Sequence, residues 1–289
     1  MDAAYNEQHH GRSRSCERAI MEQHETFPNV VEALLLVGIL IVIQMFVGAA
    51  VIDSGVLGTV NAGDLGGLIT VIGNGILFIC LMAYKRIGYR TLFHPARGSA
   101  TAVMSVVTVP IVLLVPGLML LASAVNSIVI ALFPMSIEDR LLLGEMMSPG
   151  IVPLLFACVA APVLEEMLFR GVILRSFLRQ YSRTRAILWS AAIFGVAHLN
   201  LYQLASAFAI GIVAGWLYER CRSLWPCILL HAAYNACVTF SYQQAIEGNR
   251  AIDSAAWTAF AFIAAIGAGL FLLRVLHAGD RRVAETKRE

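Results

Sequence analysis

The chain has 289 residues, of which 58% are hydrophobic and 14% charged, with a mean hydropathy of +0.74; soluble domains average about 45–50% apolar and about 25% charged. That balance excludes an ordinary soluble enzyme, and apolar segments spread from residue 30 to residue 276 leave no polar stretch long enough for a second globular unit. The formal net charge of +2 comes from scattered arginines rather than one basic block, which argues against a nucleic-acid partner.

Residues 1–28 read as a polar cytoplasmic tail. They lack the short apolar core and small-residue cleavage site of a signal peptide, and His9 and His10 read as a solvated pair rather than metal ligands. A helix needs about 20 residues to cross about 30 Å of hydrocarbon, and charge-free runs of that order follow: Ala33 to Ile52, Leu65 to Tyr84, Gly98 to Ile137, Met146 to Leu164, Ala186 to Tyr218, Ser223 to Ile246 and Ser254 to Leu273. The third carries Pro110, Pro116 and Pro134 and reads as one long kinked helix or a hairpin. The fifth holds Asn200 and Tyr202 near its middle and is expected to fold back as two short helices. Ile137 to Met147 reads as an interfacial amphipathic helix, with Leu141, Leu142, Leu143 and Met146 opposing Glu138, Asp139 and Arg140, or as a loop. Gly211 and Gly215 form a GxxxG pair for close helix packing, and Cys80, Cys158, Cys227 and Cys237 read as small buried hydrophobes. No repeat of 20 to 50 residues is visible, so an inverted-repeat transporter gains no support.

Short cytoplasmic loops collect Lys and Arg. If the third run crosses once and the fifth twice, eight helices place every Lys and Arg on the side of both termini except Arg140 and Arg250 opposite and Arg170 within the membrane. The expected architecture is therefore an all-α polytopic membrane protein of about eight transmembrane helices around a polar cavity. It comprises a transmembrane domain over 29–277 with its chemical core at about 145–240 and a basic cytoplasmic tail over 278–289. The location follows as an integral membrane, the plasma (inner) membrane in a prokaryote.

Ionisable groups at mid-membrane cost about 2.5–3.5 kcal/mol each on insertion scales, so those that occur tend to face a protein interior and serve a function. Here they come as a set: Glu165, Glu166 and Arg170 in APVLEEMLFRG, Phe194 and His198 in FGVAH, His231 and Asn235 in HAAYN. At about 1.5 Å per residue, Glu165 lies about 15 Å from Arg175, His198 about 20 Å from Arg185, and His231 and Asn235 about 14 and 20 Å from Arg222. All four reach a similar depth and are expected to surround one cavity. Residues four apart share a helical face, so His231 and Asn235 point together and Glu166 pairs with Arg170. Glu165, left without a local cation, is the better general base. Pro162, one turn earlier, lacks an amide hydrogen and opens the helix where water must enter.

EEMLFR fits EExxxR, FGVAH fits FxxxH and HAAYN fits HxxxN, in that order on successive membrane helices. The pattern resembles the CPBP family of intramembrane proteases, also called the CAAX protease and bacteriocin-processing or Abi family and typified by CAAX prenyl protease 2, over residues 145 to 240. The resemblance implies hydrolysis of a membrane-anchored or membrane-spanning peptide substrate by glutamate-activated water. Glu165 would take the proton, His198 would orient and activate the water, and His231 with Asn235 would stabilise the oxyanion, donors whose loss typically costs about 10²–10³ in rate. Glu166 and Arg170 would support the site and Phe194 would shape it. The family is often labelled a metalloprotease, and Glu165, His198 and His231 are the set that would hold zinc. The chain has no HExxH helix and Asn is a poor zinc ligand, so a metal-free reaction is favoured. Two rival readings use the same residues: a transporter relaying protons or cations, and a non-catalytic immunity or scaffold protein that binds a partner.

Overall fold

The computed structural model describes residues 26–54, 62–96, 98–147, 150–246 and 255–286. Most of the 1–28 tail, including His9 and His10, and residues 287–289 lie outside the described residues. Those described are helical throughout, without a strand among them. In chain order the helices are α1 (Val30–Asp53), α2 (Ala62–Lys85), the short α3 (Tyr89–Phe93), α4 (Ala100–Leu132), α5 (Ile137–Met146), α6 (Ile151–Gln180), α7 (Arg183–Ala197), α8 (Leu201–Cys221), α9 (Trp225–Ile246) and α10 (Ala255–Thr286).

Local chemistry sets several boundaries. Asn29 starts α1 through a capping box: its side chain accepts from the amides of Val31 and Glu32, and Glu32 accepts from the Asn29 amide at 2.7 Å. The third apolar run is one helix, α4, that keeps Pro110 and Pro116 inside and ends two residues before Pro134. The fifth run breaks as expected, with Asn200 capping α8 through the amides of Tyr202 and Gln203. Just before it, Leu199 sits in the left-handed region at φ 51°, which turns the chain sharply at the end of the His198 helix. Residues Ile137–Met146 form a helix, the helical alternative of the two expected.

Six of these helices are long and apolar enough to cross a membrane: α1, α2, α4, α6, α8 and α10. The expected eight thus exceeds what length and hydropathy support. Of the two that fall short, α7 has 15 residues, about 22 Å at the helical rise, and α9 has 22 but carries His231, Asn235 and several other polar side chains that lower its hydropathy.

The inner layer is α6 to α9, where Arg170, Phe177, Phe194, Leu174, Leu217 and Leu230 are fully buried. Around it, α4 packs on α8, α9 and α10, and α1 packs on α2. The outer helices turn large apolar side chains outward, Phe46, Ile79 and Ile263 among them, as a hydrocarbon solvent permits. Packing between helices relies on small residues. A Cβ on Gly211 of α8 would lie 2.9 Å from the Ala191 Cβ of α7, and one on Gly117 of α4 would lie 2.3 Å from the Ala265 Cβ of α10. Cys227 is buried, whereas Cys158 and Cys237 are half-buried and Cys80 is exposed on α2. The reading of Cys80 as a buried side chain is thereby corrected: in a membrane helix an apolar flank marks a lipid-facing position as readily as a core one.

Candidate active site

The site is built on α6, which does not stay α-helical. Phe156–Ala160 and Met167–Leu174 are π-helical, with the α-helical turn Ala161–Glu166 between them; such widened turns recur at functional sites because they free backbone groups and re-aim side chains. One consequence is visible at Asn235. The Ala161 amide reaches back to Phe156, and Pro162 has no amide hydrogen, so the carbonyl of Ala157 loses the donors four and five residues ahead. Asn235 Nδ2 donates to that carbonyl instead, at 2.8 Å. Pro162 therefore does open the helix, and the freed carbonyl fixes the amide of α9.

Glu166 and Arg170 are both fully buried and form the expected pair on one face of α6, with Arg170 Nη1 2.9 Å from Glu166 Oε1. Arg170 also donates from Nη2 to the carbonyl of Gly211 at 3.3 Å, and its guanidinium lies 4.4 Å from the centre of the Phe194 ring. The same Glu166 oxygen is 3.0 Å from His231 Nδ1. A carboxylate paired with a guanidinium only accepts hydrogen bonds, so Nδ1 carries the hydrogen and Nε2 is turned toward Glu165. His231 Nε2 lies 3.8 Å from Glu165 Oε2, which accepts no hydrogen bond from any described residue. The two adjacent carboxylates thus divide: Glu166 is consumed by structure, and Glu165 faces a histidine across an open gap.

His198 ends α7 and its Nδ1 lies 2.9 Å from the carbonyl of Phe194. A carbonyl only accepts, so Nδ1 donates and Nε2 is left as an acceptor. Phe194 stands edge-on to both imidazoles, with ring centroids 5.0 Å from His198 and 5.6 Å from His231, and edge-on to Phe169 at 4.9 Å. One aromatic ring therefore touches Arg170 and sets the planes of both histidines.

Space around these groups is divided. A cavity of about 390 Å³ is lined by Phe194, His198, His231 and Asn235 together with side chains of α4 and α8, including Asn126 and Gln203. Glu165 does not line it. It opens with His198 onto a second cavity of about 170 Å³, walled on the far side by Gln44 of α1 and Thr70 and Asn74 of α2. The expected single chamber is thus two, and His198 lines both. Gln44, Asn74 and Asn126 escaped the motif search. The signal that marks the first two is that each is the lone amide in its charge-free run. Among the described residues no three His, Cys, Asp or Glu side chains are grouped so as to hold a metal, the Glu165, His198 and His231 set included.

Residues 147–237 match the family model of type II CAAX prenyl endopeptidase Rce1-like proteins. Over that segment the chain is similar to the family whose three motifs it resembles. A stretch of 89 residues, 30% of the chain, is 33% identical to a Bacillus subtilis (strain 168) protein named Putative membrane peptidase YdiL. The chain covers 36% of that relative's length. No solved structure matches the chain. All seven residues of the three motifs fall within the matched segment.

Proposed function

We propose that this protein is an intramembrane endopeptidase that hydrolyses a peptide bond of a membrane-associated or lipidated protein without a metal. The observation that carries the reading is the position of His198 between two cavities, one holding Glu165 and the other holding His231 and Asn235. Water beside Glu165 would meet a peptide carbonyl lying in the larger cavity at that imidazole.

In this reaction Glu165 accepts a proton from water, which His198 Nε2 orients by accepting its second hydrogen. The water oxygen bonds to the carbonyl carbon, and the resulting oxyanion takes hydrogen bonds from Asn235 and from His231, which enters the reaction as an imidazolium with a proton on Nε2 and keeps that proton throughout. Glu166, backed by Arg170, stabilises that imidazolium through Nδ1, the arrangement by which a buried carboxylate supports a catalytic histidine. The intermediate collapses, the C–N bond breaks, and the proton held by Glu165 passes to the leaving amine, giving a carboxylic acid and an amine.

The basic loops and both termini are assigned to the cytoplasmic face, and the chain to the plasma membrane in a prokaryote. The tail over 1–28, the transmembrane domain over 29–277 and the basic tail over 278–289 complete this assignment. A transporter or a partner-binding scaffold would use the same polar groups without making new protein termini. The test compares membranes holding wild-type protein with membranes holding Glu165→Gln, mapping new peptide termini by mass spectrometry with and without a zinc chelator. Termini found only with wild type, and surviving chelation, are expected. Equal termini in both membranes would overturn the reading, and their loss on chelation would overturn its metal-free part.

A further inference from the structure

Two amides from helices outside the matched segment line the cavity onto which Glu165 opens. Asn74 lies at the middle of α2 and is only 3% exposed, so it is removed from both lipid and bulk water. Its Nδ2 donates to the carbonyl of Thr70 on its own helix at 2.9 Å, which leaves its oxygen to the cavity. Gln44, also mid-helix on α1, is packed over bare backbone: a Cβ on Gly73 would lie 2.7 Å from its Cγ. These amides, with Thr70, face Glu165 and His198 across the 170 Å³ cavity. Burying an amide in hydrocarbon costs several kcal/mol unless it is satisfied, and satisfaction of its second group by water needs a roomy polar site with two to four partners. The cavity meets both conditions. It holds space for several waters at about 30 Å³ each, and among apolar side chains such as Leu40 and Phe169 it presents polar groups from four helices, α1, α2, α6 and α7.

We infer that this cavity is the water compartment of the enzyme, and that Asn74 is a positioning residue that holds the hydrolytic water against Glu165 while the peptide occupies the larger cavity. The inference rests on the protease reading. It adds that α1 and α2, which lie outside the matched domain, complete the site by keeping water at mid-membrane on the side away from the substrate.

The test has two arms on the full chain in proteoliposomes. In the first, cysteine replaces Asn74 or, as a control two residues away on the lipid-facing side of α2, Ile72, which is 37% exposed. Labelling by 2-aminoethyl methanethiosulfonate is followed at each site by peptide mass spectrometry. Asn74→Cys is expected to label at least about tenfold faster than Ile72→Cys, because the reagent needs a hydrated thiolate. Equal rates would overturn the compartment. The second arm uses a synthetic peptide spanning a terminus mapped in the Glu165→Gln comparison. Asn74→Leu is expected to lower kcat about tenfold, the value of one ordered water, with KM unchanged, and Asn74→Ser to restore kcat to within about threefold. An unchanged kcat in Asn74→Leu, or a rise in KM alone, would overturn the assignment of Asn74. If Glu165→Gln itself leaves cleavage intact, the protease reading fails, while the labelling arm still decides whether the cavity holds water.

Discussion

The outer helices and the inner ones obey different solvents. In α1 and α10 only 17% of the most apolar window is buried, against 39% in α8, and α1 turns the single amide of its apolar run, Gln44, toward the site. The inner helices bury Arg170, Glu166, His231 and Ser190 and connect them to one another or to backbone carbonyls. Hydropathy recognises the first kind at once and undercounts the second: α7 and α9, which deliver His198, His231 and Asn235, are the two long helices that fail the test for a membrane span. In a bilayer, low hydropathy at a protein-facing helix is the mark of chemistry, and the helices that look least like membrane spans are the ones to inspect first.

That contrast predicts a gradient of mutational sensitivity. At the top stands Arg170→Met, which strands Glu166 in a buried site. Breaking one partner of a buried ion pair costs about 3–5 kcal/mol, and a comparable fall in unfolding free energy, measured in detergent by chemical denaturation, is expected. Wild-type stability would show that the pair is not structural. Next comes Gly211→Val at the α7–α8 crossing, where the added side chain meets Ala191. Overpacking there is expected to cost about 1–3 kcal/mol by the same measurement, and no change would mean that the two helices separate freely. At the bottom is Ile263→Val on the outward face of α10, 72% exposed, where a shift below about 0.5 kcal/mol is expected. A larger shift would reveal that α10 meets protein rather than lipid.

Much of the site was legible because its spacing is helical. Glu166 and Arg170, and His231 and Asn235, are each four residues apart, and the Gly211–Gly215 pair carried its own packing logic. The break at Asn200 was readable from a polar residue in a run too long for one span. What stayed hidden is tertiary. The contact between Glu166 and His231 joins residues 65 apart in sequence, and it turns Glu166 from a mere partner of Arg170 into the support of an imidazole. The π-helical turns of α6 leave no trace in composition beyond Pro162, yet one of them sets Asn235. Gln44 and Asn74 have no partner motif, so only the packing of α1 and α2 against α6 and α7 gives them meaning. The division of the polar space at His198 was invisible for the same reason: depth along each helix can be counted, but rotation about the helix axis cannot.

The central claim is that two neighbouring carboxylates have parted roles, Glu165 in chemistry and Glu166 in structure. Glu165→Gln and Glu166→Gln, measured side by side for new peptide termini and for unfolding in detergent, test it most directly. The account predicts that Glu165→Gln loses cleavage by about 10²–10⁴-fold at wild-type stability, while Glu166→Gln, which leaves Arg170 and His231 without their counter-ion, loses stability by about 3–5 kcal/mol. Cleavage retained in Glu165→Gln, or an unchanged stability in Glu166→Gln, would contradict it.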